Sequence, residues 1–544
     1  MNARRQILAG ILATILAFAS STAASATEAT ALDAAQQATL LRYAADTWHS
    51  FVLLVNPRTG LPSDSIGGQL RSASRSAFTS PTNIGMYLWS ALAARDLGII
   101  SSTEATARLT KTVTSIGRLE RHAASGQFYN WYDPATGATL TTWPEPPHNQ
   151  VYPFLSSVDN GWLAAALIMV ANADPALHDA AWSIASSMDF GFYYDPRANP
   201  DAGTGLIRGG YWPEVPIGAV ATPTNGPTNC IERRRADPNA VPPRPADDPP
   251  FAGWTCHHYG AFNTEPRIAS YVGIALGQIP ADHYFGGWRT FPNTCDWSWQ
   301  EARPDGAWRD YTVGAKTVHV FEGAYRYHGT KLVPTWGGSM FEALMVPLVV
   351  PEEDWGLNSW GVTHPLYVQA QIEYGLADSG YGYWGFSPSS DPAGGYREYG
   401  VDAIGMGDGY TTDEARHTLY DAGWADPNCF RPPQAITDYD GGVVTPHASF
   451  LALDFDATAA LANLAALKSA FPAAYGKGGF KDAINVSTGQ VADRYLALDQ
   501  GMIMAAIANQ LTGNQLQGYL AVTLQPALQP LMAMEEFNAG VVGP

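Results

Sequence analysis

Apolar residues recur at three- and four-residue spacing along most of the chain. The pattern predicts helices over Ala34–Phe51, Asn83–Leu97, Ser102–Arg118, Asp159–Ala173 and Leu177–Met188, then over Glu265–Leu276, Ser339–Val350, His364–Tyr374, Ala457–Ala470 and Tyr495–Leu511. Start signals support several of them. Ser80-Pro81-Thr82 precedes the second, Asp159 stands at the front of the fourth, and Asp456 precedes Ala457. Strand-type alternation is weak throughout. Between the predicted helices lie long Gly, Pro and aromatic loops, at Gly126–Pro147 and Trp384–Gly409, and Phe128–Gly137 reads as a short hairpin. About ten helices with loops gathered between them predict an all-α (α/α)6 toroid with short β-hairpins, in which paired helices bury their apolar stripes and the loops build a cleft. The alternative, an α-solenoid, would need a repeat of fixed period, and none is present.

The N-terminus changes the picture of where the chain works. Arg4 and Arg5 precede an apolar run from Ile7 to Ala19, and Ala24-Ser25-Ala26 follows. This is the pattern of a cleaved secretory signal over residues 1–26, on a run too short to cross a bilayer comfortably. The remainder, 27–544, is expected to be one domain, exported to the periplasm or the medium, and a monomer. Residues 222–252 break the helical rhythm with many prolines and Arg233-Arg234-Arg235, and read as an irregular insertion. Cys230 and Cys256 bracket it, so a Cys230–Cys256 disulfide is preferred, leaving Cys295–Cys429, although four cysteines allow three connectivities.

The formal net charge of −19 falls further once Arg4 and Arg5 are removed, which argues against nucleic acid or an anionic membrane as partner. Seventeen Trp and 26 Tyr against only 15% charged residues suit a neutral ligand with flat apolar faces, such as an oligo- or polysaccharide. Glycoside cleavage needs two carboxyl groups across the scissile bond. Asp159, in Ser156–Leu163, stands where a helix begins, and the Gly161 that follows suggests close approach by some other group. Glu265, in Ala261–Ile268, also stands at a helix start, with Thr264 as cap and Pro266 in the first turn. The helix dipole would lower its pKa, so a role as proton donor requires burial or a neighbouring carboxylate to reverse that effect. Glu342 and Asp499 are charges in otherwise apolar helices and are expected to face the toroid interior. Tyr211-Trp212 and His257-His258-Tyr259 read as cleft-wall loops. No carboxylate or cysteine completes ligand spacing around the paired histidines, so no metal is expected there.

Together with Ser80–Gly85, Phe128–Tyr132, Ser157–Leu163 and Thr264–Ile268, the segments Trp336–Glu342, Trp360–Val362, Thr445–Ala448 and Asp499–Gly501 form an ordered set. In this set the chain resembles the bacterial glycoamylase-like proteins, which include endo-β-1,2-glucanases and, more distantly, the hydrolase-like domain of cyclic β-1,2-glucan synthases. The resemblance implies cofactor-free, endo-acting, inverting hydrolysis of a β-linked glucan, β-1,2-glucan first. It implies Glu265 as general acid and Asp499 or Asp159 as base. Substrate contacts are expected from Asn83, Trp131, Asn160, Trp162, Tyr211, Trp212, His258, Arg267, Trp336, Glu342, Trp384 and His447. Pro266 where the family has Ala, the 222–252 insertion and a divergent Ser387–Gly409 loop bear on linkage and on endo against exo action. The other readings are a hydrolase or transglycosylase on a different envelope or extracellular polysaccharide, and a non-catalytic glycan-binding protein on the same scaffold.

The signal-peptide reading predicts that N-terminal sequencing of the exported protein starts at Thr27. Membrane-bound protein that retains Met1 would instead make the apolar run an anchor.

Overall fold

The computed structural model describes residues 32–214, 216, 231–232, 253–290, 304–406 and 442–542. The signal segment 1–26, nearly all of the 222–252 insertion, and Cys230, Cys295 and Cys429 lie outside those residues, and with them the expected disulfide pairing. Among the described residues no helix is long and apolar enough to cross a membrane.

The helices form an (α/α)6 toroid. The longer ones are α1 (Ala34–Leu54), α2 (Pro81–Asp96), α3 (Ser102–Ile116), α4 (Ser157–Ala173), α5 (His178–Ser186), α6 (Arg267–Ala275), α7 (Trp360–Glu373), α8 (Leu453–Ala470), α9 (Ala497–Thr512) and α10 (Gln515–Met534). Of the predicted start signals, Ser80-Pro81 begins its helix as expected, whereas Ser156 rather than Asp159 caps α4. Asp33 and Gln36 form a capping box on α1, and Ser80 caps α2 ahead of Pro81. The Asp456 side chain accepts the Ala459 N–H at 2.9 Å, at a non-helical residue that breaks α8 near its start.

Helices α2, α4 and α9 are buried nearly all round, as inner helices of a large core must be. Glycines let them approach one another. A Cβ on Gly161 of α4 would stand 2.8 Å from the Ala269 Cβ of α6. One on Gly85 of α2 would be 3.0 Å from the Trp162 carbonyl oxygen, and one on Gly501 of α9 would be 2.7 Å from the Met86 Cβ. The close approach that the sequence suggested at Gly161 is therefore by a neighbouring helix.

Four elements differ from the sequence reading. The predicted Ser339–Val350 helix is a short helix, Met340–Leu344, followed by a 3-10 turn at Val346–Leu348, because Pro347 cannot continue the backbone ladder. α10 contains Pro526 and Pro530, which disguise it in sequence, yet Leu516, Leu520, Leu524 and Leu528 still form one buried stripe. Strands β1 (Asp305–Val313) and β2 (Lys316–Tyr327) make a long antiparallel hairpin, extended to four strands by Thr330–Leu332 and Gly540–Val541. Its alternation is masked because one inward position, Glu322, carries a charge, which accepts the Tyr311 hydroxyl at 2.8 Å and lies 3.6 Å from Arg289. The expected hairpin near Phe128–Gly137 is reduced to single bridges, Tyr132 pairing with Thr79 and Thr139 around an Asp133–Gly137 turn.

Gly161→Ala is predicted to lower stability by about 1–3 kcal/mol, because the added methyl meets backbone as well as side chain. Gly518→Ala, on a face of α10 with nothing within 4 Å, should be neutral or stabilising. Denaturant melts of the two variants check this, and equal stabilities would contradict the packing account.

Candidate active site

Helix starts converge on one open cavity of about 710 Å³. α2 contributes Ser80, Thr82 and Asn83, and α4 contributes Val158, Asp159 and Trp162. The turn before α6 brings Glu265, the short 340–344 helix brings Phe341, and the start of α9 brings Leu498. Loops complete the walls. Phe78, Trp131 and Trp143 form an aromatic cluster on one side, with ring centroids 4.5 to 5.5 Å apart. Tyr396, 54% exposed, belongs to a small Ser389–Ser390/Tyr396–Arg397 hairpin on the wall, near Arg494 and Asp64.

Local capping explains why Asp159 is available. Ser156, not Asp159, caps α4, accepting the Asp159 N–H at 3.2 Å. Asp159 is the third helical residue, and its Oδ1 accepts the Thr82 hydroxyl at 2.5 Å. Burial raises its pKa against the hydrogen bonds from Thr82, Ser156 and Ser80.

Glu265 occupies a tight turn rather than the helix itself. Arg267 N–H reaches the Thr264 carbonyl at 3.2 Å, Ile268 N–H reaches the Glu265 carbonyl at 3.2 Å, and α6 begins only at Arg267. Thr264 does not cap α6; its hydroxyl donates to Glu342 Oε2, which also accepts the Glu265 N–H at 2.7 Å. The Trp162 indole N–H donates to Glu265 Oε2. Burial pushes the Glu265 carboxyl well above the usual range. The Glu342 charge adds to this and so does that of Asp159, against the Trp162 hydrogen bond and the more distant Arg267. Burial and a neighbouring carboxylate thus oppose the dipole effect and favour the protonated form of Glu265. Glu342 is itself raised to about 7 by burial. Asp64 is pushed up to about 6, again by burial, although Asn83 donates to it at 2.9 Å.

Of the residues singled out in the sequence, Asp159, Glu265, Asn83, Trp131 and Trp162 line the cavity, and Glu342 stands directly behind Glu265. The others do not line it. Asn160 is buried and bonded to the Phe128 backbone on both sides, at 2.7 and 2.9 Å. Tyr211 is buried among Phe192, Trp254 and His122, while Trp212 packs on Phe154. His258 faces Asp195 at 3.3 Å. Trp336 lies in a strand paired with Met406, and Trp384 is buried where its backbone meets Asn463. Arg267 is buried too. It grips Glu352 with both ends of its guanidinium at 2.8 Å, lies over the Trp360 ring, and donates to the Thr264, Glu342 and Ala343 carbonyls. It fastens the Glu265 turn to the Glu342 helix from behind. Asp499 and His447 are buried below the wall, beside Asp482. Sequence reasoning missed Asp64, Phe78, Trp143, Tyr396 and Asp482. Phe78 and Trp143 carried a usable signal, since they flank Ser80-Pro81-Thr82 and sit in the 126–147 loop, whereas Asp482 stands in an unremarked Gly-Phe-Lys-Asp stretch.

Comparison with known proteins places this geometry. Residues 304–517 match the glycoamylase family model, described as "Putative glucoamylase", and residues 42–191 match a domain family of unknown function. Over residues 304–517 the chain is similar to the glycoamylase family. Among curated proteins, it is 25% identical to the cyclic β-(1,2)-glucan synthase NdvB of Rhizobium meliloti over 81% of its own length, but spans only 16% of that protein. Its fold is similar to an endo-β-1,2-glucanase from Chitinophaga pinensis, solved with sophorotriose and glucose, at a TM-score of 0.58 and 14% identity, covering 92% of this chain and 98% of that one. It is also similar to a β-1,2-glucanase from Parabacteroides distasonis, at a TM-score of 0.61 and 14% identity, covering 92% of this chain and 60% of that one.

Because Arg267 is a buried clamp, Arg267→Met is predicted to cost about 3–5 kcal/mol of stability by stranding Glu352. Chemical denaturation reads this directly. Unchanged stability with lost glycan binding would return Arg267 to the cleft.

Proposed function

We propose that the protein is an exported, monomeric glycoside hydrolase that cleaves a β-linked glucan, β-1,2-glucan first, by endo-acting inversion. The observation that carries this reading is the buried Glu265 carboxyl, its pKa raised by desolvation and by Glu342, in an open, aromatic-walled cavity that it shares with Asp159. Glu265 donates a proton to the departing glycosidic oxygen. Trp162 and Glu342 hold the donor in place, through its carboxyl and its backbone N–H respectively. Asp159, oriented by Thr82, takes the proton from the attacking water. Phe78, Trp131 and Trp143 offer faces for sugar rings, and Arg494, Asp64 and Tyr396 offer polar contacts. The choice of β-1,2-glucan leans on the activities named for the structural relatives and for the glucan synthase, and so belongs to this proposal alone.

A glycan panel with chromatographic product analysis tests substrate and role together. Wild type should release β-1,2-gluco-oligosaccharides, and Glu265→Gln should bind the glucan but turn it over at least about 10³-fold more slowly. Full activity in Glu265→Gln would remove it as the donor, and cleavage of a different glycan would replace the substrate.

The pH dependence follows from the same carboxyls. Glu265 must be protonated to donate, so activity falls as pH rises through its elevated pKa. Glu342→Gln removes a charge that raises that pKa, so the alkaline limb of the rate profile should move to lower pH. A shift to higher pH, or none, would show that Glu342 does not act on Glu265.

A further inference from the structure

His447, Asp482 and Asp499 come from three separate elements. His447 lies in the short helix Pro446–Leu451, Asp482 in the connection ahead of the Ile484–Asn485 strand, and Asp499 in the first turn of α9. All three are buried, at 1, 2 and 1% exposure, and one ligand atom from each lies within 4.8 Å of the other two. Both ring nitrogens of His447 have no hydrogen-bond partner, and the Asp482 and Asp499 carboxyls face each other within hydrogen-bonding reach. One Asp482 oxygen accepts the Ser390 N–H at 2.6 Å, which ties the cluster to the hairpin on the cavity wall.

An imidazole with both nitrogens unpartnered at this depth, beside two carboxyls, is costly and calls for an occupant. The spacing indicates which kind. His447 Nδ1 stands 3.6 Å from Asp499 Oδ1, longer than a hydrogen bond. Two ligands on one tetrahedral ion, with metal–nitrogen and metal–oxygen bonds near 2.1 Å, lie about 3.4 Å apart. One imidazole with two carboxylates is a donor set that suits a divalent first-row cation, and it leaves a fourth position open. The three residues are far apart in sequence, so no ligand spacing announces them.

We propose that His447, Asp482 and Asp499 bind one divalent first-row cation of the zinc class. The ion joins α9 and the 446–451 helix and, through Asp482 and Ser390, braces the hairpin that carries Tyr396. This inference does not rest on the roles given to Glu265 and Asp159, which lie outside the cluster. It departs from the expectation of a metal-free protein drawn from sequence.

The test uses the full exported chain, stripped with a chelator and titrated with zinc by calorimetry, with metal content measured after gel filtration. One zinc per chain is expected, with a rise in melting temperature on loading. Glu265→Gln should retain the site, while His447→Gln and Asp482→Asn should lose it. X-ray absorption of the zinc-loaded wild type, which needs no variant, should give one nitrogen and at least two oxygens at about 2.0–2.2 Å. Absence of stoichiometric zinc and manganese binding to wild type would overturn the proposal, leaving protons or water to fill the cluster. So would undiminished binding in well-folded His447→Gln and Asp482→Asn, or a shell without nitrogen. Because Glu265→Gln is scored for metal rather than turnover, failure here is distinguishable from failure of the hydrolase reading.

Discussion

The contact between α4 and α6 governs the site. Gly161 lets the two helices meet backbone against side chain, at Ala269. One residue on, Trp162 projects across that junction and its indole N–H reaches Glu265. The same turn holds Glu265 over Glu342, and Arg267 locks both from behind through Glu352. A bulkier residue at 161 would separate the helices and release the carboxyl whose position everything else in the cavity serves.

That position decides the chemistry of Glu265. At the start of a helix the dipole favours a charged carboxylate. Here desolvation and two nearby acids favour the neutral form, and they prevail. Helix starts at α2 and α4 deliver a further acid and polar groups to the same place, and the start of α9 adds Leu498. The aromatic cluster on the loops adds apolar faces without adding charge. On the proposed function such a site protonates a neutral substrate and binds it by stacking, which agrees with the acidic, Trp- and Tyr-rich composition.

Much of this was legible in the sequence because it rests on local signals. The Ser80-Pro81 cap, the helical periodicity of α4 and the isolated charges at Glu265, Glu342 and Asp499 are all short-range features. What escaped depends on partners distant in the chain. Arg267 resembles a cleft residue until Glu352 is seen 85 positions away in its grip. Tyr211 and Trp384 resemble sugar platforms until the core closes around them. The β1–β2 hairpin hides its alternation behind the inward Glu322, and Asp482 acquires meaning only beside His447 and Asp499.

The central claim is that Glu265 is neutral at pH 7. Infrared difference spectroscopy of wild type against Glu265→Gln, across a pH series, reads its carboxyl directly. A protonated-carboxyl band that is present at pH 7 in wild type and missing in the variant is the predicted result. A Glu265 that is already ionised at pH 7, contributing only a carboxylate band, would contradict the account.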